Sequence, residues 1–189
     1  MNKIRLKRFL YKVAGILVAI ATVSCALVTL EERVQPSIIE VHSSDYGCTA
    51  FYIAPNELQT AAHCVKLPLR DRMDNSLQLL SVDKNNDTAL LHTPVRGEPL
   101  VVHIGPFHRY EEVVACGYPA YGERINSKYS CERGRTMGID KFYLYASDMA
   151  SPGMSGGPLL NADGEVLGVV SGFFGMGHRV ISKFGRMDV

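Results

Sequence analysis

Three short segments carry residues whose types and spacing could do chemistry. The third of them, Gly153-Met154-Ser155-Gly156-Gly157-Pro158, sets a hydroxyl among glycines. A serine hydroxyl attacks a carbonyl only when a base takes its proton and donors receive the oxyanion that forms. Glycines on both sides let the backbone turn sharply enough to aim the N–H groups of Gly153 and Ser155 into one small cavity. Gly156 and Gly157 leave room for a substrate to approach the backbone. Taken alone, the segment also reads as an ordinary glycine-rich turn.

The first segment, Thr60-Ala61-Ala62-His63-Cys64, offers the base. A general base must be held rigidly beside the nucleophile. His63 gains weight from Cys64, because a bridge from Cys64 to Cys48 would pin its backbone; alone it also reads as a satisfied core histidine. The second segment, Asp87-Thr88-Ala89-Leu90-Leu91, puts a carboxylate at the mouth of an apolar strand. There it can take an imidazole N–H and fix its tautomer. Asp83 is the reserve for this role, and the cluster Asp83-Lys84-Asn85-Asn86-Asp87 also reads as a turn.

The elements that must position these residues are strands. Candidates are Ile38–Val41, Cys48–Ile53, Leu58–Ala61, Leu77–Val82, Ala89–Thr93, Val113–Tyr118, Ser127–Glu132, Gly138–Leu144, Gly157–Leu160, Val166–Ser171 and Arg179–Ser182. They are rich in β-branched and aromatic residues and are broken by turn residues. Pro55-Asn56 and Asn161-Ala162-Asp163-Gly164 mark hairpins; Asp-Gly tolerates the positive φ such turns need. Short strands at this spacing predict barrels or a sandwich.

The 189 residues suit one domain or two small lobes, and 47% hydrophobic content supplies a core. Lys3, Arg5, Lys7, Arg8 and Lys12 precede an uncharged run of 18 residues, Val13–Leu30, which Glu31 and Glu32 follow. Residues 13–189 keep 15 Lys and Arg against 19 Asp and Glu, a formal charge of −4. That acidic body argues against a nucleic-acid partner. The apolar run is just long enough to span a bilayer, and the basic flank would hold its start in the cytoplasm. An uncleaved signal anchor is favoured because the run is long for a cleaved leader. Cleavage after Ala19-Ile20-Ala21 or Ser24-Cys25-Ala26, and lipid attachment at Cys25, stay open. All three readings export residues 31–189.

In an exported domain disulfides are the expected state. Local pairing, Cys48 with Cys64 and Cys116 with Cys131, is favoured because each pair flanks a turn-containing segment. The six histidines, His42, His63, His92, His103, His108 and His178, show no tight ligand spacing, so no metal and no cofactor is expected.

Together, and in the order His, Asp, Ser, the three segments resemble those of the chymotrypsin-like (trypsin-like) serine peptidases. Residues 152–172 are most similar to bacterial HtrA-type peptidases. The resemblance covers roughly residues 38–183 and implies an all-β fold of two packed antiparallel β-barrels, with His63, Asp87 and Ser155 as the triad in the cleft. It also implies an oxyanion hole from Gly153 and Ser155, and a bridge from Cys64 to a cysteine 16 residues upstream, which is Cys48. The expected layout is a basic tail (1–12), an anchor or signal peptide (13–30), a linker (31–36) and the catalytic domain (37–189). Its lobes would cover about 37–96 and 97–189, with no PDZ module after Val189.

Met154 stands where the animal enzymes carry an Asp that pairs with a freed N-terminus, so activation by that salt bridge is not expected. The resemblance places Met149 near the base of the primary specificity pocket and Val170 to Phe174 along a wall. Ser171 and Gly172 would offer backbone pairing to an extended substrate. A small or medium apolar side chain is expected there, because no carboxylate would neutralise Lys or Arg; His178 near the pocket would instead favour an acidic residue. The implied partners are protein or peptide substrates. The alternative function is a non-catalytic, protease-like binding or assembly module.

Overall fold

Alternating apolar residues and short turns give twelve strands among the described residues of the computed structural model. It describes residues 28–43, 46–120, 128–147, 149–176 and 179–186, and of residues 173–176 and 179–182 only the backbone. The basic tail and nearly all of the apolar run lie outside the described residues, as do Asp148 and His178. Among the described residues no helix is long and apolar enough to cross a membrane. The described end of the N-terminal unit, residues 1–33, holds most of a short helix, Leu30–Val34. Thr29 and Glu32 cap it reciprocally: each side chain accepts the other's backbone N–H, at 3.2 and 3.0 Å.

Strands β1 (Ile38–His42), β2 (Gly47–Ala54), β3 (Glu57–Ala61), β4 (Arg70–Asp71), β5 (Gln78–Asp83) and β6 (Thr88–His92) form one sheet in the order β4-β1-β2-β3-β6-β5. Strands β7 (Glu112–Gly117), β8 (Ser130–Ile139), β9 (Tyr143–Ser147), β10 (Pro158–Leu160), β11 (Val166–Met176) and β12 (Arg179–Arg186) close into a barrel. Its core holds Val113, Leu144, Met154, Leu159 and Phe184, all at most 1% exposed.

The expectation of two barrels needs correcting, since the first lobe is an open, six-stranded sheet. Its end strands, β4 and β5, do not pair with each other. The β4 strand has only two residues before the chain turns back, with Asp71 Oδ1 accepting the N–H groups of Met73 and Asn75. The other edge, β5, is largely exposed and carries a bulge between Leu79 and Ser81, a device that keeps an edge from pairing. Gly138–Leu144, expected as one strand, is divided between β8 and β9. It straddles the β8–β9 turn, where Asp140 Oδ1 accepts from Phe142 and Tyr143 N–H at 2.8 and 2.7 Å. An Asp that bonds its own following backbone makes a turn.

The segment between β6 and β7 ties sheet to barrel. Gly97 N–H and Leu100 N–H donate to the carbonyls of Pro55 and Tyr52 in the first lobe. Val101 C=O and His103 N–H bond the backbone of Val166 in the second.

Candidate active site

Strand register brings the base and its carboxylate together. The pairing of β3 with β6 sets Ala61 opposite Thr88. One step beyond that pair, Ala62 N–H donates to Asp87 C=O at 3.1 Å. The chain then winds into a 3₁₀ turn, Ala62–Cys64, that presents His63 to Asp87. Asp87 adopts a positive φ of 52°, a conformation Asp reaches more easily than most residues, and so leaves its carboxylate beneath the imidazole. His63 Nδ1–H donates to Asp87 Oδ2 at 2.7 Å, and the backbone N–H of His63 to Oδ1 at 3.0 Å.

Ser171, read from sequence only as a backbone partner, adds its hydroxyl to Asp87 Oδ2 at 2.5 Å. No sequence signal marked that bond, because 84 residues separate the two. Asp83, the reserve carboxylate, is spent on its own turn, where it accepts from Asn85 and Asn86.

Burial pushes the Asp87 carboxyl up, but the hydrogen bonds from His63 and Ser171 outweigh it and hold it below its ordinary value. Stability from a depressed carboxyl is complete above the unfolded value, roughly pH 4, and is lost as pH falls through the lower folded value. Thermal melts from pH 7 to pH 2 are therefore expected to show an acid limb that shrinks in Asp87→Asn. An unchanged limb would mean that Asp87 is not depressed.

The serine segment is two consecutive tight turns. Met154 N–H donates to Ser151 C=O at 3.1 Å, and Gly157 N–H to Met154 C=O at 2.9 Å. Gly153 and Gly156 take the third position of each, with φ of +90° and +85°, which glycine supplies without strain. Four successive carbonyls are anchored. Pro152 C=O accepts from Ala120 N–H at 2.7 Å, Gly153 C=O from Thr49 Oγ1 at 3.0 Å, Met154 C=O from Gly157 N–H, and Ser155 C=O from Thr49 N–H at 2.8 Å. Among the described residues the N–H groups of Gly153 and Ser155 donate to no acceptor. In the same set no hydrogen bond joins the Ser155 hydroxyl to the His63 ring, a bond that unliganded enzymes often leave long.

Cys48 is bonded to Cys64, and Cys116 to its cross-strand neighbour Cys131. The first bridge closes a separation of 16 residues, for which chain entropy gives about 3 kcal/mol. Cys64 Sγ lies 3.6 Å from Ser155 C=O; with no proton to give, it makes a packing contact there. Cys48, His63 and Cys64 bring ligand-type atoms within 4.8 Å of one another, but the sulfurs are joined to each other. Met149 and Val170 are 0% and 1% exposed and belong to the barrel core, whereas Ser171 and Gly172 are partly open. A cavity of about 500 Å³ bordered by Gln59, Ser81, Thr88, Leu90 and Arg186 includes none of the candidate catalytic side chains.

An open six-stranded sheet joined to a closed barrel, with His63, Asp87 and Ser155 on loops held between them, is the chymotrypsin-like architecture. Residues 48–169 match the family model described as the trypsin-like peptidase domain, and the chain belongs to that family. A probable periplasmic serine endoprotease, DegP-like, from Marinomonas sp. (strain MWYL1) is 29% identical over 146 residues, 70% of this chain and 31% of that protein. Serine protease Rv3671c of Mycobacterium tuberculosis (strain ATCC 25618 / H37Rv) is 29% identical over 162 residues, 73% of this chain and 40% of that one. The chain thus spans less than half the length of these curated relatives. The crystal structure of the active form of the Rv3671c protease superposes with a TM-score of 0.74 at 23% identity, covering 84% of this chain and 79% of that chain.

Proposed function

We propose that the chain is a serine endopeptidase, in which His63 is the general base, Asp87 orients it and Ser155 is the nucleophile. The observation that carries this is the carboxylate of Asp87, which takes both the ring N–H and the backbone N–H of His63. With Nδ1 protonated and bonded, Nε2 is left with a lone pair to receive the Ser155 proton. The Ser155 oxygen then adds to the scissile carbonyl, and the N–H groups of Gly153 and Ser155 receive the oxyanion. Collapse gives the acyl-enzyme as His63 protonates the leaving amine, and water, activated by the same His63, releases the acid. No cofactor takes part.

Protein or peptide substrates follow from the relatives' names as proteases. Extended substrate would pair with the backbone at Ser171 and Gly172. A small or medium apolar side chain would be preferred: Met149 and Val170, buried in the barrel core, would close the base of the pocket and bring no carboxylate. Export is supported by the basic cluster ahead of the apolar run and by relatives named as periplasmic; tethering through residues 13–30 is part of the same proposal.

A fluorophosphonate probe followed by peptide mapping tests the reading. Label is expected on Ser155 alone, and Ser155→Ala is expected to keep its melting temperature while losing about 10⁶-fold in kcat. An unlabelled, folded and oxidised protein would overturn the enzyme reading in favour of a binding module.

A further inference from the structure

Thr49 is a fully buried residue of β2 in the first lobe, yet it holds the serine segment of the second. Its backbone N–H donates to Ser155 C=O at 2.8 Å and its hydroxyl to Gly153 C=O at 3.0 Å. The same hydroxyl accepts Tyr118 N–H at 3.0 Å, which leaves its proton for Gly153. Its own carbonyl accepts the hydroxyl of Thr60 at 2.7 Å, on the strand that leads to His63.

We propose that Thr49 is a positioning residue for the oxyanion-binding groups, acting through the carbonyls of Gly153 and Ser155. This rests on the serine-peptidase reading given above. A peptide unit is planar, so fixing a C=O fixes the N–H on the other side of the same bond. The units that carry the Gly153 and Ser155 N–H groups are those whose carbonyls, on Pro152 and Met154, are held within the second lobe. The units that alternate with them are held by Thr49. Gly153 is the weak point of this chain of planes: without a Cβ, its backbone rotates at little steric cost. The Thr49 hydroxyl removes that freedom. It does so where it is 0% exposed, so water does not compete for the bond. Thr49 thereby couples the two lobes at the place where the oxyanion must be received, and the Thr60 contact ties the same residue to the strand of the base.

The test compares Thr49→Val, Thr49→Ser and Thr49→Ala in the full chain, with Ser155→Ala alongside. Thr49→Val keeps the shape and deletes the hydroxyl. It is expected to lower kcat by about 10- to 100-fold with KM changed by about twofold or less, since small misplacements of an oxyanion donor act in the transition state. Binding of a peptide boronate, which forms the tetrahedral adduct, is expected to weaken in step with kcat. Binding of an unreactive peptide of the same sequence is expected to hold. Thr49→Ser restores the hydroxyl and is expected to restore kcat to within about threefold. Thr49→Ala, free of steric risk, serves if the valine variant does not fold, and differs from the serine variant by one oxygen. A valine variant with wild-type kcat, or a serine variant as impaired as the valine one, overturns the inference. If that happens while Ser155→Ala is inactive, only the role of Thr49 falls. If Ser155→Ala still hydrolyses peptide, the serine-peptidase reading falls and this inference with it.

Discussion

Asp87→Asn is expected to lower kcat by about 10⁴-fold while the fold survives, by the tautomer effect known for such triads. Asn is the informative replacement because Asp87 has a φ of 52°, and Asn tolerates that region nearly as well. The carboxylate accepts three hydrogen bonds: the His63 backbone N–H on Oδ1, and the His63 ring and the Ser171 hydroxyl on Oδ2. An amide cannot accept all three. Turned one way, its NH₂ faces the backbone N–H of His63, donor against donor. Turned the other way, the NH₂ donates to Nδ1, which forces the ring proton onto Nε2 and leaves no lone pair for Ser155. Ser171 can rotate to suit either state, so it does not rescue the base. A pH–rate profile checks the account. Activity of the variant should be low near neutrality and recover partly at high pH, where Ser155 needs less help from a base. A variant within tenfold of wild type would remove Asp87 from the mechanism.

Gly156→Ala is expected to remove activity and to destabilise the chain by about 3–5 kcal/mol, the range of severe backbone and overpacking defects. Two costs combine. Gly156 holds a φ of +85°, which costs an L-residue about 1–2 kcal/mol. A Cβ there would also lie 2.1 Å from Thr49 C=O and 2.2 Å from Thr60 Oγ1. The carbonyl belongs to a buried strand and cannot move aside as a surface side chain can. Relief requires the serine segment to lift off the first lobe, which breaks the bonds from Thr49 N–H to Ser155 C=O and from the Thr49 hydroxyl to Gly153 C=O. Urea titration combined with fluorophosphonate labelling measures both effects. Gly172→Ala is the control: a Cβ there meets nothing within 4 Å, so its stability is expected to hold. A Gly156→Ala protein as stable and as readily labelled as wild type would mean that the two turns do not dock as described.

The strands were legible because their signals are local. Alternating apolar residues, the Pro55-Asn56 turn and the Asp163-Gly164 turn set the β2–β3 and β10–β11 hairpins. Where a turn was built by one side chain, as at Asp140, the apolar run Phe142-Tyr143-Leu144 masked it. Closure of the sheet was not legible either. It depends on whether two edges meet in space, and a two-residue β4 is below what periodicity can register.

The same division holds for the candidate site. By itself the sequence determined its ingredients: His63 beside Cys64, Asp87 ahead of an apolar strand, and Ser155 among glycines that permit two turns. These are covalent neighbours, and short-range backbone preferences are enough to read them. Only the tertiary structure decided which carboxylate the imidazole meets, that Ser171 joins it, and that Thr49 holds the serine segment from the other lobe. Those contacts join residues 24, 84 and 104 positions apart. Their geometry depends on strand register and on the docking of sheet against barrel, which no local preference encodes.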